Sequence, residues 1–223
     1  MTDNRIVSIF ARHNIYTVLR YIFGLLTLIA LAFFWWLMFQ IIWPYTSGRT
    51  DIDFLLSKQQ WVNEWHYMAA FYLHVFSSLW VLAAGFTQFS IYLLRRWPFL
   101  HRWVGKIYVG IILLVSGPAA LVMAVYASGG WATQASFITL SVVWWWATWL
   151  AYRAIREKKV REHRIWMVRS YALTLSAITL RLMQYCLAMY TSLDPAESYT
   201  LVAWPSWLLN WFIAEILLNY SEK

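Results

Sequence analysis

The sequence predicts an all-α integral membrane protein with six transmembrane helices in one bundle and both termini cytoplasmic. The 223 residues are 61% hydrophobic and 13% charged, with a mean hydropathy of +0.52, far more apolar than a soluble core of this size needs. Aromatics make up 20% of the chain, including 17 Trp and 14 Tyr, the side chains that collect at bilayer headgroups. The basic residues cluster in loops beside apolar runs. No Gly/Ser/Pro linker separates two cores, so residues 18–220 read as one domain, with a cytoplasmic segment at 1–17 and a tail at 221–223.

The first span runs from about 18 to 43 and reads as retained, because it is too long for a signal peptide and lacks a small-residue cleavage site. A polar loop follows, Pro44 to Glu64, in which KQQWVNEW reads as a short interfacial helix. The second span covers about His66 to Leu94, and RRWPFLHR turns the chain into the third, Trp103 to Ala127. Gly117-Pro118 should kink that helix, since proline removes a donor and frees a carbonyl. SGG at 128–130 leads into the fourth span, Trp131 to Tyr152, and the basic run Arg153 to Arg164 precedes the fifth, Ile165 to Thr191. Asp194-Pro195 is a helix stop before the sixth span, Thr200 to Tyr220.

Charge counting sets the orientation. With the N-terminus cytoplasmic, Arg5, Arg12, Arg20, the 95–106 turn and the 153–169 run all lie inside. Arg49 and Lys58 fall outside, balanced by Asp51, Asp53, Glu64, Asp194 and Glu197, so the positive-inside rule is obeyed. The net charge of +8 and pI of 9.7 are therefore topology signals that attract anionic lipid at the cytoplasmic face, and nucleic acid is not an expected partner. The expected location is the bacterial inner membrane, with another membrane protein as a candidate partner. The single cysteine, Cys186, excludes an intrachain disulfide and a cysteine-based metal cluster, and reads as a small apolar helix residue.

Arg181 poses the central question. At about 1.5 Å per residue it sits roughly 20 Å into a hydrocarbon layer about 30 Å thick. A guanidinium cannot shed its charge, and intramembrane charges face a bundle interior or a wet cavity with a partner. His74, on the descending second span, falls at a similar level, and Gln88 returns to nearly the same face at about 100° per residue. Ser170, Thr174, Ala177 and Arg181 form a small-and-polar stripe of the kind that lets membrane helices approach closely. Glu215 is the one acid within a span and lies nearest Arg169, so those two should pair. Arg181 then needs another acceptor: neutral His74, Asn210, a backbone carbonyl or an anionic ligand.

His101 and His163 both open a span at the cytoplasmic side, in HRWVGK and HRIWMVR, beside the basic residues Arg102, Lys106 and Arg164. Such histidines ligate haem or a metal, move protons, or sit at the headgroup boundary. A two-haem bundle wants four histidines on four helices, and the fourth span has none; one haem held by His101 and His163 stays open. Hydrolase, NTPase and dinucleotide fingerprints are absent, as is HExxH.

His74 with GFTQ at 85–88, HRWVGKIY at 101–108, AYRAIR at 151–156, HRIWMVRSYALTLSAITLR at 163–181 and WPSWLLNWFIAE at 204–215 together resemble the bacterial predicted membrane proteins numbered 2306 among the domains of unknown function. The resemblance implies a multi-helix membrane protein in which His74, Gln88, His101, His163, Arg164, Arg169, Arg181, Asn210 and Glu215 occupy characteristic polar positions. It implies no activity. The residues themselves leave three readings open. The first is a redox or small-ligand site, with b-type haem or a quinone head group as cofactor, His101 and His163 as inner ligands and Arg181 with His74 as an outer cationic pocket. The second is a transporter or channel-like path for a proton, anion or small solute past His74, Gln88, Arg181 and Asn210. The third is an accessory or assembly subunit whose polar groups only join helices.

Overall fold

Every regular element among the described residues is a helix in the computed structural model, which covers the backbone of residues 3–221 and side chains from Val18 onward except at 19, 20, 23, 91 and 221. Helix α1 (Asp3–Ile42) runs 40 residues, so the stretch expected as a separate 1–17 segment is continuous with the first apolar run. The side chains of Arg5, Arg12 and Arg20 lie outside the described residues, as do residues 222 and 223 of the expected tail. A 3-10 turn (Trp43–Ser47) ends at Gly48, whose φ of 71° stops the chain from winding on.

Where a helix was expected over KQQWVNEW, the chain makes turns instead, and the helix is one turn upstream, α2 (Asp53–Leu56). The Gln59 side chain explains this, because its amide donates to the carbonyls of Thr50 (2.6 Å) and Leu55 (3.0 Å) and holds the loop coiled. α3 (Trp65–Gln88) is also shorter than expected. Ser90 caps a new helix, α4 (Ile91–Arg96), by accepting from Leu93 N, so the second span ends at Gln88 rather than Leu94.

Pro98 starts α5 (Pro98–Ile111), and the expected disturbance at Gly117-Pro118 takes the form of a π-helical segment at Ile112–Ser116 before α6 (Gly117–Val125). π-bulges of this kind loosen the backbone ladder and leave carbonyls free for other donors. Two are used: Trp145 Nε1 donates to Leu113 O at 3.0 Å and His74 Nδ1 to Ser116 O at 3.1 Å. Gly129 and Gly130, with φ of 93° and 79°, turn the chain into α7 (Trp131–Arg156). The fifth and sixth apolar runs are each broken. Leu175 separates α8 (Val160–Thr174) from α9 (Ser176–Tyr190), and Trp204, just ahead of Pro205, separates α10 (Pro195–Ala203) from α11 (Pro205–Ser221). Asp194 acts as the cap of α10 by accepting from Ala196 N.

Among the described residues five stretches, not the six expected, are long and apolar enough to cross a membrane: Gly24–Ser47, Trp65–Gln88, Pro98–Val125, Val160–Tyr190 and Pro195–Tyr220. α7 has the length, 26 residues or about 39 Å at 1.5 Å per residue, but its tryptophans, threonines and Gln134 dilute its hydropathy below theirs. Consecutive helices pack on one another: α1 on α3, α3 on α5 and α6, α6 on α7, α7 on α8, and α8 and α9 on α11. The α7–α8 seam is the closest, built over Ala147, Thr148, Ala151 and Ser170, all fully buried and small enough for close backbone approach.

Candidate functional site

Between α3, α6, α7 and α9, and covered by the end of α1 and the 43–64 loop, lies a cavity of about 270 Å³. Its one histidine is His74. The Nδ1 of His74 reaches Ser116 O at 3.1 Å and Ser116 Oγ at 3.2 Å, and the Trp144 ring stands edge-on at 6.5 Å. A carbonyl only accepts, so the proton sits on Nδ1 and Nε2 is an acceptor. The π segment before Pro118 thus fixes both the position and the tautomer of this ring.

The predicted stripe on the fifth run divides. Ser170 and Thr174 join a knot in which Tyr108 Oη lies 2.8 Å from Ser170 Oγ and 3.1 Å from Thr174 Oγ1, Thr148 Oγ1 lies 2.7 Å from Ser170 Oγ, and Trp144 Nε1 donates to Thr174 Oγ1. This network closes the cavity at one end and locks α5, α7 and α8 together. Thr174 itself, Ala177 and Arg181 line the cavity. Ser176 lines it too; it is 3% exposed, and its hydroxyl has no hydrogen-bond partner.

The opposite end is built by the loop. Lys58 is 2% exposed; its ammonium donates to Tyr126 O and Ser128 Oγ, both at 2.6 Å, and lies 5.6 Å from the Phe54 ring centre. Burial pushes its pKa down to about 8, because the charged form is the one that desolvation disfavours. Arg181 is exposed where the cavity meets the surface, donates to Gln184 Oε1 at 3.3 Å, and stands within electrostatic range of Tyr45 and Tyr199. Sequence reasoning missed Lys58, reading it as a topology charge. The signal was Leu55 three residues earlier, which puts Lys58 on the same face of a turn as a core residue.

The remaining polar residues fall elsewhere. Gln88 turns away from the cavity and donates to His101 O at 3.2 Å, with its Oε1 packed against Gly105. Arg169 and Glu215 form a two-pronged ion pair at 2.7 and 2.9 Å, with the guanidinium 4.5 Å from the Trp166 ring centre and 5.8 Å from that of Trp211. Asn210 accepts from Thr179 Oγ1 at 3.0 Å between α9 and α11, and its amide nitrogen is buried without a partner. His163 Nδ1 lies 2.8 Å from Ala151 O, so Nδ1 carries its proton and Nε2 is left as an acceptor. His101 lies within electrostatic range of His163, and its Nδ1 is buried without a partner. Arg102, Lys106 and Arg164 are exposed around this pair, Lys106 lying over Trp103 at 5.3 Å. Cys186 is exposed rather than packed. Among the described residues no three His, Cys, Asp or Glu gather to hold a metal ion.

A bundle of long apolar helices that keeps arginine, histidine and paired charges between its members is a multi-pass membrane protein. The chain matches the family of predicted membrane proteins designated DUF2306 over residues 71–218, and it belongs to that family. The matched range contains His74, Gln88, His101, His163, Arg169, Arg181, Asn210 and Glu215, whereas Lys58 comes from the loop before it. No curated protein and no solved structure matches this chain.

Proposed function

We propose that this protein is a six-span protein of the bacterial inner membrane, with both termini cytoplasmic, whose outer-half cavity binds a small, largely apolar molecule through a polar head group. The single observation that carries the reading is that His74 and Arg181, brought from separate helices, line one cavity with Lys58, while Gln88, Asn210, Arg169 and Glu215 are engaged elsewhere. Arg169 and Glu215 satisfy each other helix to helix, whereas the cavity-lining Ser176 hydroxyl reaches no partner and Lys58 and Arg181 reach only neutral acceptors among the described residues. α7 serves as the fourth span on length and on its position between α6 and α8. A quinone head group is the redox form of this ligand, its carbonyl oxygens accepting from Lys58 or Arg181.

A second reading rests on the other end of the bundle. His163, whose Nδ1 is held by the Ala151 carbonyl so that Nε2 is left as an acceptor, has the donor state of an imidazole that ligates b-type haem, and His101 lies within electrostatic range of it. Haem bound there would supply one-electron chemistry; these residues would hold and orient it.

One purified sample tests both. Extraction and mass spectrometry of wild-type protein should yield a co-purifying apolar molecule that Ala177→Trp, which fills the cavity from α9, loses. Equal recovery from both proteins would contradict the cavity reading. A reduced-minus-oxidised spectrum with an α-band that His101→Ala abolishes would support haem; a colourless preparation from haem-replete cells would remove it.

A further inference from the structure

Among the described residues the cavity is lined by two cations, Lys58 and Arg181, and by no carboxylate. Other cations without a carboxylate partner among those residues, such as Arg102, Lys106 and Arg164, stand exposed away from the cavity lining. Elsewhere Arg49 pairs with Asp51, Arg153 and Lys159 with Glu157, and Arg169 with Glu215. Among the described residues Lys58 and Arg181 have neutral acceptors: the Tyr126 carbonyl and Ser128 hydroxyl for one, the Gln184 amide for the other. An ammonium taken out of water loses its hydration whether or not a protein anion replaces it, and here none does.

Resting on the ligand reading above, we propose that the occupant is a single-chain organic acid, with an anionic carboxylate or phosphate head at the Lys58 and Arg181 end and a hydrocarbon body among the apolar walls. Three features set the orientation. The guanidinium fork of Arg181 and the ammonium of Lys58 are the strong donors, and a planar or tetrahedral oxyanion matches them. The buried Ser176 hydroxyl, lacking any protein partner, adds a neutral donor on the same wall. At the other end the unprotonated Nε2 of His74 is an acceptor and disfavours an anion, while Leu140, Trp144 and Leu173 give the chain apolar contact. At about 270 Å³ the cavity sits just below the usual range for small-molecule sites, so it takes one short chain rather than a two-chain lipid.

The test uses the full chain in phosphatidylcholine nanodiscs and four radiolabelled probes: decanoate, decyl phosphate, decanol and inorganic phosphate. Site binding is the part that Ala177→Trp abolishes. Decanoate or decyl phosphate should bind at least about tenfold tighter than decanol, and Lys58→Met and Arg181→Gln should each weaken the acid about tenfold while leaving decanol unchanged. The tighter of the two acids identifies the head group. Arg181→Lys, which keeps the charge but loses the fork, should bind the acid more tightly than Arg181→Gln does, separating charge loss from misfolding. Decanol binding as tightly as both acids, or acid binding indifferent to both charge removals, would overturn the acid assignment while the cavity reading stands. Inorganic phosphate matching decyl phosphate would also overturn it, since the chain would then contribute nothing. No Ala177→Trp-sensitive binding of any probe would remove the ligand reading itself.

Discussion

Glu215→Ala is expected to lower the unfolding free energy by about 3–5 kcal/mol, the largest single-residue effect in the bundle. Arg169 and Glu215 are mostly buried, with side-chain exposures of 22% and 30%, and they meet in two parallel hydrogen bonds. Trp166 and Trp211 hold the guanidinium in place from either helix. Removing the carboxylate leaves a permanent cation between α8 and α11 that can neither deprotonate nor reach water without tearing that seam. The double replacement Arg169→Met with Glu215→Met removes both charges, so it should recover most of the loss; buried ion pairs are often replaceable by apolar residues of similar volume. Chemical unfolding in detergent, followed by tryptophan fluorescence, reads both. A double variant as unstable as Glu215→Ala would mean that the pair contributes more than mutual neutralisation.

Gly85→Ala should destabilise by about 1–3 kcal/mol, against the roughly 1 kcal/mol gain that alanine gives in an ordinary helix interior. The reason is Tyr171, whose hydroxyl and ring edge occupy the space a Cβ at 85 would need while the hydroxyl donates to Leu82 O at 2.8 Å. A methyl group there must push the ring of Tyr171 out of the core it shares with Val81, Ala84 and Tyr108. Adding Tyr171→Phe removes the clashing hydroxyl and should return part of the stability. If Gly85→Ala instead raises the unfolding temperature, the α3–α8 contact is looser than the geometry implies.

Several parts of the fold were legible in the sequence for identifiable reasons. Apolar runs bounded by charges located the helices, because the free energy of apolar burial in a bilayer follows composition directly. The Arg169–Glu215 pair followed from matching depths. Arg181 was expected deep in the bundle with His74, Asn210, a backbone carbonyl or an anion as acceptor; it lines the same cavity as His74 but is exposed at its mouth and donates to Gln184 one turn along its own helix, a local partner that depth counting does not reveal. What the sequence hid was set by side chains reaching backbone. Gln88 shares a face with His74 on paper, yet it does not line the cavity and its amide donates to His101 O. The breaks at Ser90 and Pro205 subdivide runs whose hydropathy is continuous. Lys58 was the costliest omission, since a loop lysine reads as solvated until the fold shows Tyr126 and Ser128 folded over it.

The most direct test is a cryo-electron-microscopy map of the protein taken from its native membrane without added lipid. The account predicts elongated non-protein density between His74 and the Lys58–Arg181 end, with Ala177 beside it. A map with ordered side chains in which that space is filled by Arg181 folding inward, or by closure of α9 on α3, would contradict it.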